Sequence, residues 1–580
     1  MHDMVIRGGT VVDGTGGEPF VADIAIDGDR VSQVGSVTAQ GREEIDATGK
    51  VVTPGFVDIH THYDGQATWD DEMAPSSWHG ITTVVMGNCG VGFAPARPDR
   101  HDWLIGLMEG VEDIPGTALA EGMTWNWETF PEYLDELEKM RRTVDVATHV
   151  PHGAVRAYVL GDRERPGAVP TDADIEQMSK IVEDGLKAGA LGFSTSRTIL
   201  HRSVDGELVP GTTATKEELI GIGRAMGRVG YGVFEMASDL NREWDEFGWM
   251  GDLSRETGMP VTFAALQSIA KEQSLDEQIA NMRAQNDNGA NIVAQIALRG
   301  NGIVMAWQGT VHPFIRYPSW MAMENLSWDE KYAKLKDPAF KAQLLSETSV
   351  QPDVVDMIPV FMIVTQGWTA QFEMDEDFNY EPGADESIAS RAKAAGKSPA
   401  EYAYDLLMAD DGKGFIYLPL LNYIDGNLDF LEKLQQSDDT VNSLSDGGAH
   451  CGTICDAASP TFMLEHWVKN RQRGTIGLAH AIKRQCLDTA RLYGLNDRGL
   501  LKPGYLADVN VIDMDRIKLG KPWLAFDLPA GGKRLLQKAV GYDYTIKSGQ
   551  VTFNGGVVTD ARPGGLIRGP QMVEMLEAAE

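Results

Sequence analysis

Residues 50–62, KVVTPGFVDIHTH, are the stretch whose reading decides the fold. An apolar run opens after Pro54-Gly55, has the length and composition of a short buried strand, and ends in His60-Thr61-His62. Side chains on a strand alternate faces, so residues two apart share one. His60 and His62 are therefore expected to point the same way at the strand's C-terminal end. Two neutral imidazoles so placed can hold one divalent metal ion. The competing reading is two strand-end histidines that meet solvent or carboxylates, and the surrounding chain has to decide.

On the N-terminal side, residues 1–52 read as short strands (MVIRGGTVVDG, VADIAIDGDRVSQVG, EEIDATGKVV) punctuated by Gly and Asp, the grammar of β-hairpins. The same grammar returns over 498–580 in LADVNVIDM and DYTIKSGQVTFNGGVV, so one small β-sandwich assembled from both chain ends is expected. Residues 53–497 have another texture. Strand-like runs (GITTVVMGN, TVDVATHVPHG, ALGFSTS, YGVFEMAS, MPVTFAAL, ANIVAQIA) alternate with helical ones. Regular alternation implies a parallel sheet with each helix crossing back over it. This many units favour an α/β fold of the closed (β/α)8, TIM-like kind, and no G-x-G-x-x-G follows the first strand to suggest dinucleotide binding. From about 300 to 440 the rhythm breaks into a Trp-, Pro- and acid-rich stretch, expected to be an inserted subdomain over the barrel mouth. Its aromatics Trp307, Tyr317, Trp320 and Trp368 either line an apolar pocket or form the core of the insert.

Composition excludes several classes. A chain of 580 residues with 43% hydrophobic content can bury a large core. No run approaches the roughly 18 apolar residues of a membrane span, and the N-terminus lacks the basic-then-apolar pattern of a signal peptide. Four cysteines are too few for a disulfide framework, which favours a reducing cytoplasm. A net charge of −34 argues against nucleic acid and anionic membranes as partners.

In a barrel, strand ends converge on one mouth, and the chemically notable residues fall at such ends. Cys89 follows the second strand, His149 and His152 end the third, Glu235 ends a later one, and Asp446 ends the last in VNSLSDGG. A thiolate at Cys89 is a soft metal ligand, while a thiol there is a small buried hydrophobe. Asp446 is placed to ligate a metal or move a proton, or to cap the following helix.

GFVDIHTHYD, SLSDGGAH and NDRGLLKPGYLADVNVID together resemble the amidohydrolase superfamily, and HTHYDGQATWDDEMAPSSWHGITTVVMGNCGVGFAP is similar to its N-acyl-D-amino acid deacylases, the D-aminoacylases. HGAVR (152–156), AGALGFSTSR (188–197) and RPGGLIRG (562–569) point the same way. The resemblance implies the barrel, sandwich and insert already read, and a zinc-dependent hydrolase. It implies His60, His62 and Cys89 as metal ligands, Asp446 as catalytic aspartate and ligand, and His152 and Arg156 as substrate contacts or rim packing. His450, four residues after Asp446, is a candidate substrate donor by the same resemblance.

The chain departs from that pattern. The family's fifth- and sixth-strand histidines are absent from GYGVFEMAS and MPVTFAALQS, where Met236 and Ala265 stand at the expected ligand positions, and the following lysine reads Gln267. The His-Pro-Arg segment that meets a substrate carboxylate is replaced by HCGTICDAASP. A centre of one or two divalent ions, most simply zinc, is expected on His60, His62 and Asp446, with Cys89 or Glu235 added. The expected activity is hydrolysis of a linear amide, an N-acyl amino acid or related N-acyl compound, in a cytoplasmic enzyme that forms homo-oligomers as its superfamily often does. A cyclic-amide hydrolase of the hydantoinase or dihydroorotase kind, and a non-catalytic binding protein, are the alternatives. No lysine in ALGFSTS stands where the cyclic-amide enzymes carry their carboxylated lysine.

Overall fold

The computed structural model describes residues 1–268, 271–352 and 358–573, so parts of the expected insert (353–357) and of the expected C-terminal segment (574–580) lie outside the described residues. At the centre is a sheet of eight parallel strands: β1 (Phe56–Asp58), β2 (Ile81–Met86), β3 (Asp145–Pro151), β4 (Gly192–Arg197), β5 (Val233–Ser238), β6 (Val261–Ala264), β7 (Ile292–Ile296) and β8 (Thr440–Asn442). Spatial order follows chain order. The sheet curls until its two ends meet just past β1 and β8. There the His62 N–H donates to the Gly447 carbonyl (2.8 Å) and the Asp446 N–H to the His60 carbonyl (3.2 Å). This is the (β/α)8 barrel that strand–helix alternation implies.

The helices start where the sequence signals them. Thr171 and Asp174 cap the helix Asp172–Ala188 reciprocally, and Ser274 and Glu277 do the same for Leu275–Asp287. On the strands, side-chain alternation sets what faces inward. Val57, Ile59, Val85, Ala147, Leu191, Val233 and Val441 form an interior cluster with Tyr493, Leu495 and Ile567. That leaves the opposite, C-terminal ends of the strands for polar groups.

Both chain ends build one nine-stranded sheet, in which Val51–Pro54 pairs antiparallel with Val509–Ile512. Its own core comprises Met4, Ile6, Ile24, Ile26, Val52, Val509, Val511 and Ile546. A buried charge network locks this sheet to the barrel. Asp145, which opens β3, meets Arg498 Nη1 at 2.7 Å and Lys547 Nζ at 2.9 Å, and Lys547 also meets Asp508 at 2.9 Å.

The insert holds a three-stranded sheet (Gly302–Met305, Phe415–Pro419, Phe372–Met374) with helices around it. Trp307 is buried against Phe314, Tyr404, Leu407 and Ile416, with Tyr317, Trp320 and Trp368 packed on the same cluster. Trp307 is thus in the core of the insert, while the other three are half-buried against it and Trp320 also lines a cleft with Val311, Ile315 and Phe361. The insert is tied to the mouth by the Val304 N–H to the Thr453 carbonyl (2.7 Å) and the Thr310 N–H to the Gly452 carbonyl (3.2 Å). No helix among the described residues is long and apolar enough to cross a membrane.

Candidate metal centre

β1 ends at Asp58, and the two histidines stand just beyond it with ring centroids 5.4 Å apart. The His60 ring is oriented through Nδ1, whereas His62 Nδ1 has no hydrogen-bond partner among the described residues. His60 Nδ1 lies 2.7 Å from Gln295 Oε1 on β7, an oxygen that also accepts from the Ser443 hydroxyl. An amide oxygen only accepts, so Nδ1 carries the proton and the Nε2 lone pair is free. His62 Nδ1 faces Glu112 Oε1 at 3.3 Å. Both Nε2 atoms look at one carboxylate: Asp446 Oδ1 is 3.5 Å from that of His60 and 3.6 Å from that of His62. Cys89 Sγ lies 3.3 Å from His60 Nε2.

These separations suit a metal. Ligands 2.0–2.3 Å from a tetrahedral ion sit about 3.3–3.8 Å apart, the range found here. One ligating atom each of His60, His62 and Cys89 falls within 4.8 Å of the others, all three buried. The buried surroundings are rich in acid, and Glu112 Oε1 and Glu235 Oε1 have no hydrogen-bond donor. Burial, then the charges of Asp446, Asp64 and Glu235, push the Glu112 carboxyl well above its ordinary range. Burial raises Glu235 to about 7 and the Cys89 thiol well above its ordinary value. For Asp446 burial acts upward too, but the close His62 and His60 imidazoles outweigh it and hold it well below the carboxylate range. Neutral imidazole lone pairs, a thiol and excess buried carboxylate together form a donor set that a divalent cation satisfies.

Backbone strain gathers at the same place. Cys89, Leu444, Asp446 and His450 all have positive φ, between 48° and 57°. Left-handed non-glycine residues cost free energy and persist where surrounding structure over-determines them. At Gly448, also left-handed, an added Cβ would meet the Tyr63 ring at 2.7 Å and the His62 carbonyl at 3.0 Å, so only glycine lets the Asp446 turn lie this close to the histidines.

The remaining candidates divide. His450 lies at the mouth, its Nε2 3.5 Å from Glu112 Oε2 and its backbone N–H bonded to the Glu112 carbonyl. Glu235 is in mid-strand rather than at a strand end, two residues after the inward Val233, and its Oε1 is 3.9 Å from His60 Nδ1. His152 and Arg156 are not brought to the centre. The His152 ring is taken by Thr195 (2.8 Å) and Glu218 (3.1 Å), and Arg156 lies 3.3 Å from Glu218 and 3.4 Å from Glu164, all in buried packing. His149 faces Tyr493 inside the barrel with both ring nitrogens unpartnered, and burial lowers its pKa to about 3.

The expected places of Met236 and Ala265 need correction. Met236 is in register with Phe263, whose ring packs on Phe247 of the helix Glu246–Thr257 outside the barrel. Alternation therefore turns Glu235 inward and Met236 outward. On β6 the inward residue is Ala264, which packs with Ala297 and Leu444 at the mouth. On both strands the inward phase lies one residue earlier than the motif spacing suggests.

Four contributors carry no recognisable spacing in the sequence. Glu112 comes from the end of α1 (His101–Glu112) and Gln295 from β7. His201 lies in the loop after β4 with Nδ1 2.9 Å from Ser196 Oγ, and burial with the nearby His450 and His62 lowers its pKa to about 3. Lys271, half-buried, reaches back to the end of β6, where its ammonium is 3.4 Å from the Ala264 carbonyl. No carboxylate of the described residues is paired with it, and burial, opposed by Asp239, brings it down to about 8.

The sequence pattern of the amidohydrolase family matches residues 43–553. Among curated proteins, a D-aminoacylase of Alcaligenes xylosoxydans xylosoxydans is 33% identical over 229 residues, 39% of this chain and 43% of that protein. An N-acyl-D-glutamate deacylase of the same organism is 34% identical over 227 residues, 38% of this chain and 41% of that protein. The aligned stretch thus spans about two-fifths of the length of these curated relatives. Among solved structures, a D-aminoacylase superposes with a TM-score of 0.64 at 22% identity, covering 98% of this chain and 100% of that one. The N-acyl-D-glutamate deacylase from Bordetella bronchiseptica, complexed with zinc and a phosphonate inhibitor, gives 0.62 at 22% identity, with 98% and 99% covered. At that identity the likeness shows the fold.

Proposed function

The chain belongs to the amidohydrolase family, and from that premise we propose that it is a metal-dependent hydrolase of a linear amide, an N-acyl amino acid or a related N-acyl compound. The observation that carries the reading is the convergence of His60, His62, Cys89 and Asp446 on one point at the barrel mouth, with 3.3–3.6 Å between neighbouring donor atoms. These four residues would hold the ion, zinc being the simplest choice for such N, S and O donors. When bound, a divalent cation there supplies Lewis acidity, lowering the pKa of a water and polarising the amide carbonyl.

The chain's own groups do the rest. The Asp446 carboxylate takes the proton from the attacking water and passes it to the leaving nitrogen, so acid and base are one residue. Gln295 orients His60 through Nδ1, and Glu112 faces Nδ1 of His62 at 3.3 Å. To His450, beside Glu112 and partly exposed, we assign a hydrogen bond to the substrate. The turn that replaces the carboxylate-binding arginine segment is internally committed, since Asp456 pairs with Arg299 at 2.8 Å. Lys271 is a cation at the β6 end with no carboxylate partner among the described residues, and we assign it the substrate's anionic group. The D-aminoacylase and N-acyl-D-glutamate deacylase among the relatives support that substrate class.

The test is metal content per chain with turnover of a panel of N-acyl amino acids of both configurations. Bound metal that disappears in His60→Ala/His62→Ala, with amide hydrolysis that disappears alongside it, is the expected result. Protein that stays metal-free after growth and purification with added zinc ends the hydrolase reading and favours a binding protein.

A further inference from the structure

Cys89 stands in a backbone conformation that an L residue seldom adopts unaided, with φ at 54°. It sits in the turn Gly87-Asn88-Cys89-Gly90 that leaves β2, and neighbouring elements grip that turn. Asn88 Nδ2 donates to the carbonyls of Thr61 (3.1 Å) and Val85 (3.0 Å). The Gly90 N–H donates to Ser194 Oγ (3.1 Å), whose own hydroxyl donates to the Gly87 carbonyl. Among the described residues one bond holds the Cys89 backbone: its N–H donates to Glu235 Oε2 at 2.9 Å, while Sγ meets His60 Nε2. Glu235 is fully buried on β5 and its other oxygen has no donor. The compact donor cluster at the mouth comprises His60, His62 and Cys89, without Glu235.

We propose that Glu235 is a positioning residue: by accepting the Cys89 N–H it fixes the left-handed turn that aims Sγ at the metal position, and this, rather than ligation, is what its carboxylate contributes. The inference rests on the reading of the mouth as a metal centre. The direction of a peptide N–H fixes the plane of that peptide, and at a given φ this fixes where Cβ points and so the few staggered places Sγ can reach. Without the acceptor the N–H is buried and unmet, a state costly enough to drive the turn to another conformation. The residue that relaxes is then the one whose sulfur now lies 3.3 Å from His60 Nε2. A group on β5 thereby decides whether a residue after β2 reaches the ion.

Cobalt placed in the metal-free protein tests this, with cobalt content and absorption spectrum read for the wild type, Cys89→Ser, Glu235→Gln and Glu235→Met. Thiolate ligation to cobalt gives a near-ultraviolet charge-transfer band, which Cys89→Ser is expected to abolish. Glu235→Gln retains an oxygen acceptor and is expected to keep both band and cobalt. Glu235→Met has similar length without an acceptor and is expected to keep the cobalt, held by the histidines and Asp446, while losing the band. An undiminished band in Glu235→Met overturns the proposal alone, and loss of cobalt in Glu235→Gln overturns it in favour of direct ligation. A wild type with no cobalt or no thiolate band brings down the reading of the centre, and the proposal with it. Should Glu235→Met fail to fold by circular dichroism, Glu235→Ala is read in its place and Glu235→Gln still separates positioning from ligation.

Discussion

Asp446 faces both histidines through one oxygen, and that geometry makes its removal informative. Asp446→Asn keeps the size of the side chain and removes its capacity to accept and return a proton. A positioned acid–base group contributes about 10²–10⁴-fold, so kcat should fall by that order while bound metal, measured by elemental analysis, stays near its wild-type level. Activity within a few-fold of wild type would take Asp446 out of the chemistry. Glu112 acts one residue further out. Its carboxylate faces His62 Nδ1, and loss of such a partner typically weakens metal binding about 10–100-fold. Glu112→Ala should therefore lose metal to a competing chelator at lower chelator concentration than wild type. Lys271 makes a separate prediction on substrate. Hydrogen bonds to charged groups are worth about 1.5–3 kcal/mol, so Lys271→Met should raise KM for an anionic substrate about tenfold or more and spare an uncharged analogue. The sign with pH follows from its lowered value: the ammonium is present below about 8 and lost above it. KM for the anionic substrate should rise as pH passes 8 in the wild type and stay flat in the variant. These residues also mark what sequence can tell. His60 and His62 announce themselves because a two-residue spacing on a strand end is local. Glu112, Gln295, His201 and Lys271 come from four other elements, and only the closed barrel brings them to the mouth.

At the scale of elements, alternation makes the barrel legible, because apolar runs of strand length and amphipathic helices recur with their caps in place. Phase is less legible than existence. YGVFEMAS and VTFAALQS are apolar on both faces, as strands buried between a barrel interior and a helix layer must be, so periodicity does not say which residues point inward. For that reason the motif spacing points to Met236 and Ala265 where Glu235 and Ala264 face the interior. The aromatics of the insert are ambiguous in sequence for a similar reason, since a pocket wall and a small core use the same residues. The junction between the terminal sheet and β3 supports a stability prediction. Asp145 lies between Arg498 and Lys547, both buried. Burial raises its pKa, but Lys547 and Arg498 outweigh that and bring it from 3.8 to about 2. A depressed carboxylate adds stability above its unfolded pKa, and that increment disappears as pH falls from about 4 towards 2. Asp145→Asn leaves two cations without their shared partner, a change worth about 3–5 kcal/mol. Urea unfolding at neutral pH should show that loss, and the difference between variant and wild type should shrink on acidification. An equally stable variant would mean that Asp508, which meets Lys547, and Asp497, 2.9 Å from Arg498 Nε, suffice for both cations.

Across the whole molecule, the strongest long-range influence is a net charge of −34. The buried acids at the mouth and at Asp145 account for little of it, so most of the excess lies on the surface. Some surface acids are paired, as in Lys180–Asp184 and Arg224–Glu256, but such exposed pairs contribute little each. Fifty-one Lys and Arg residues against 85 Asp and Glu leave many carboxylates facing one another across solvent. Self-repulsion of this kind opposes the compact state and is weakened by salt, because the screening length is about 10 Å at 0.1 M and about 3 Å at 1 M. The midpoint of thermal unfolding should therefore rise with sodium chloride, most steeply at low concentration, and level off once screening is shorter than the spacing between surface charges. Sodium chloride is the right salt for the measurement, since sulfate would add its own strengthening of apolar burial. The Asp145→Asn variant should rise in parallel with the wild type, because its missing contact is buried and little screened. A midpoint that falls with salt would mean that surface ion pairs hold the fold more strongly than the excess charge strains it.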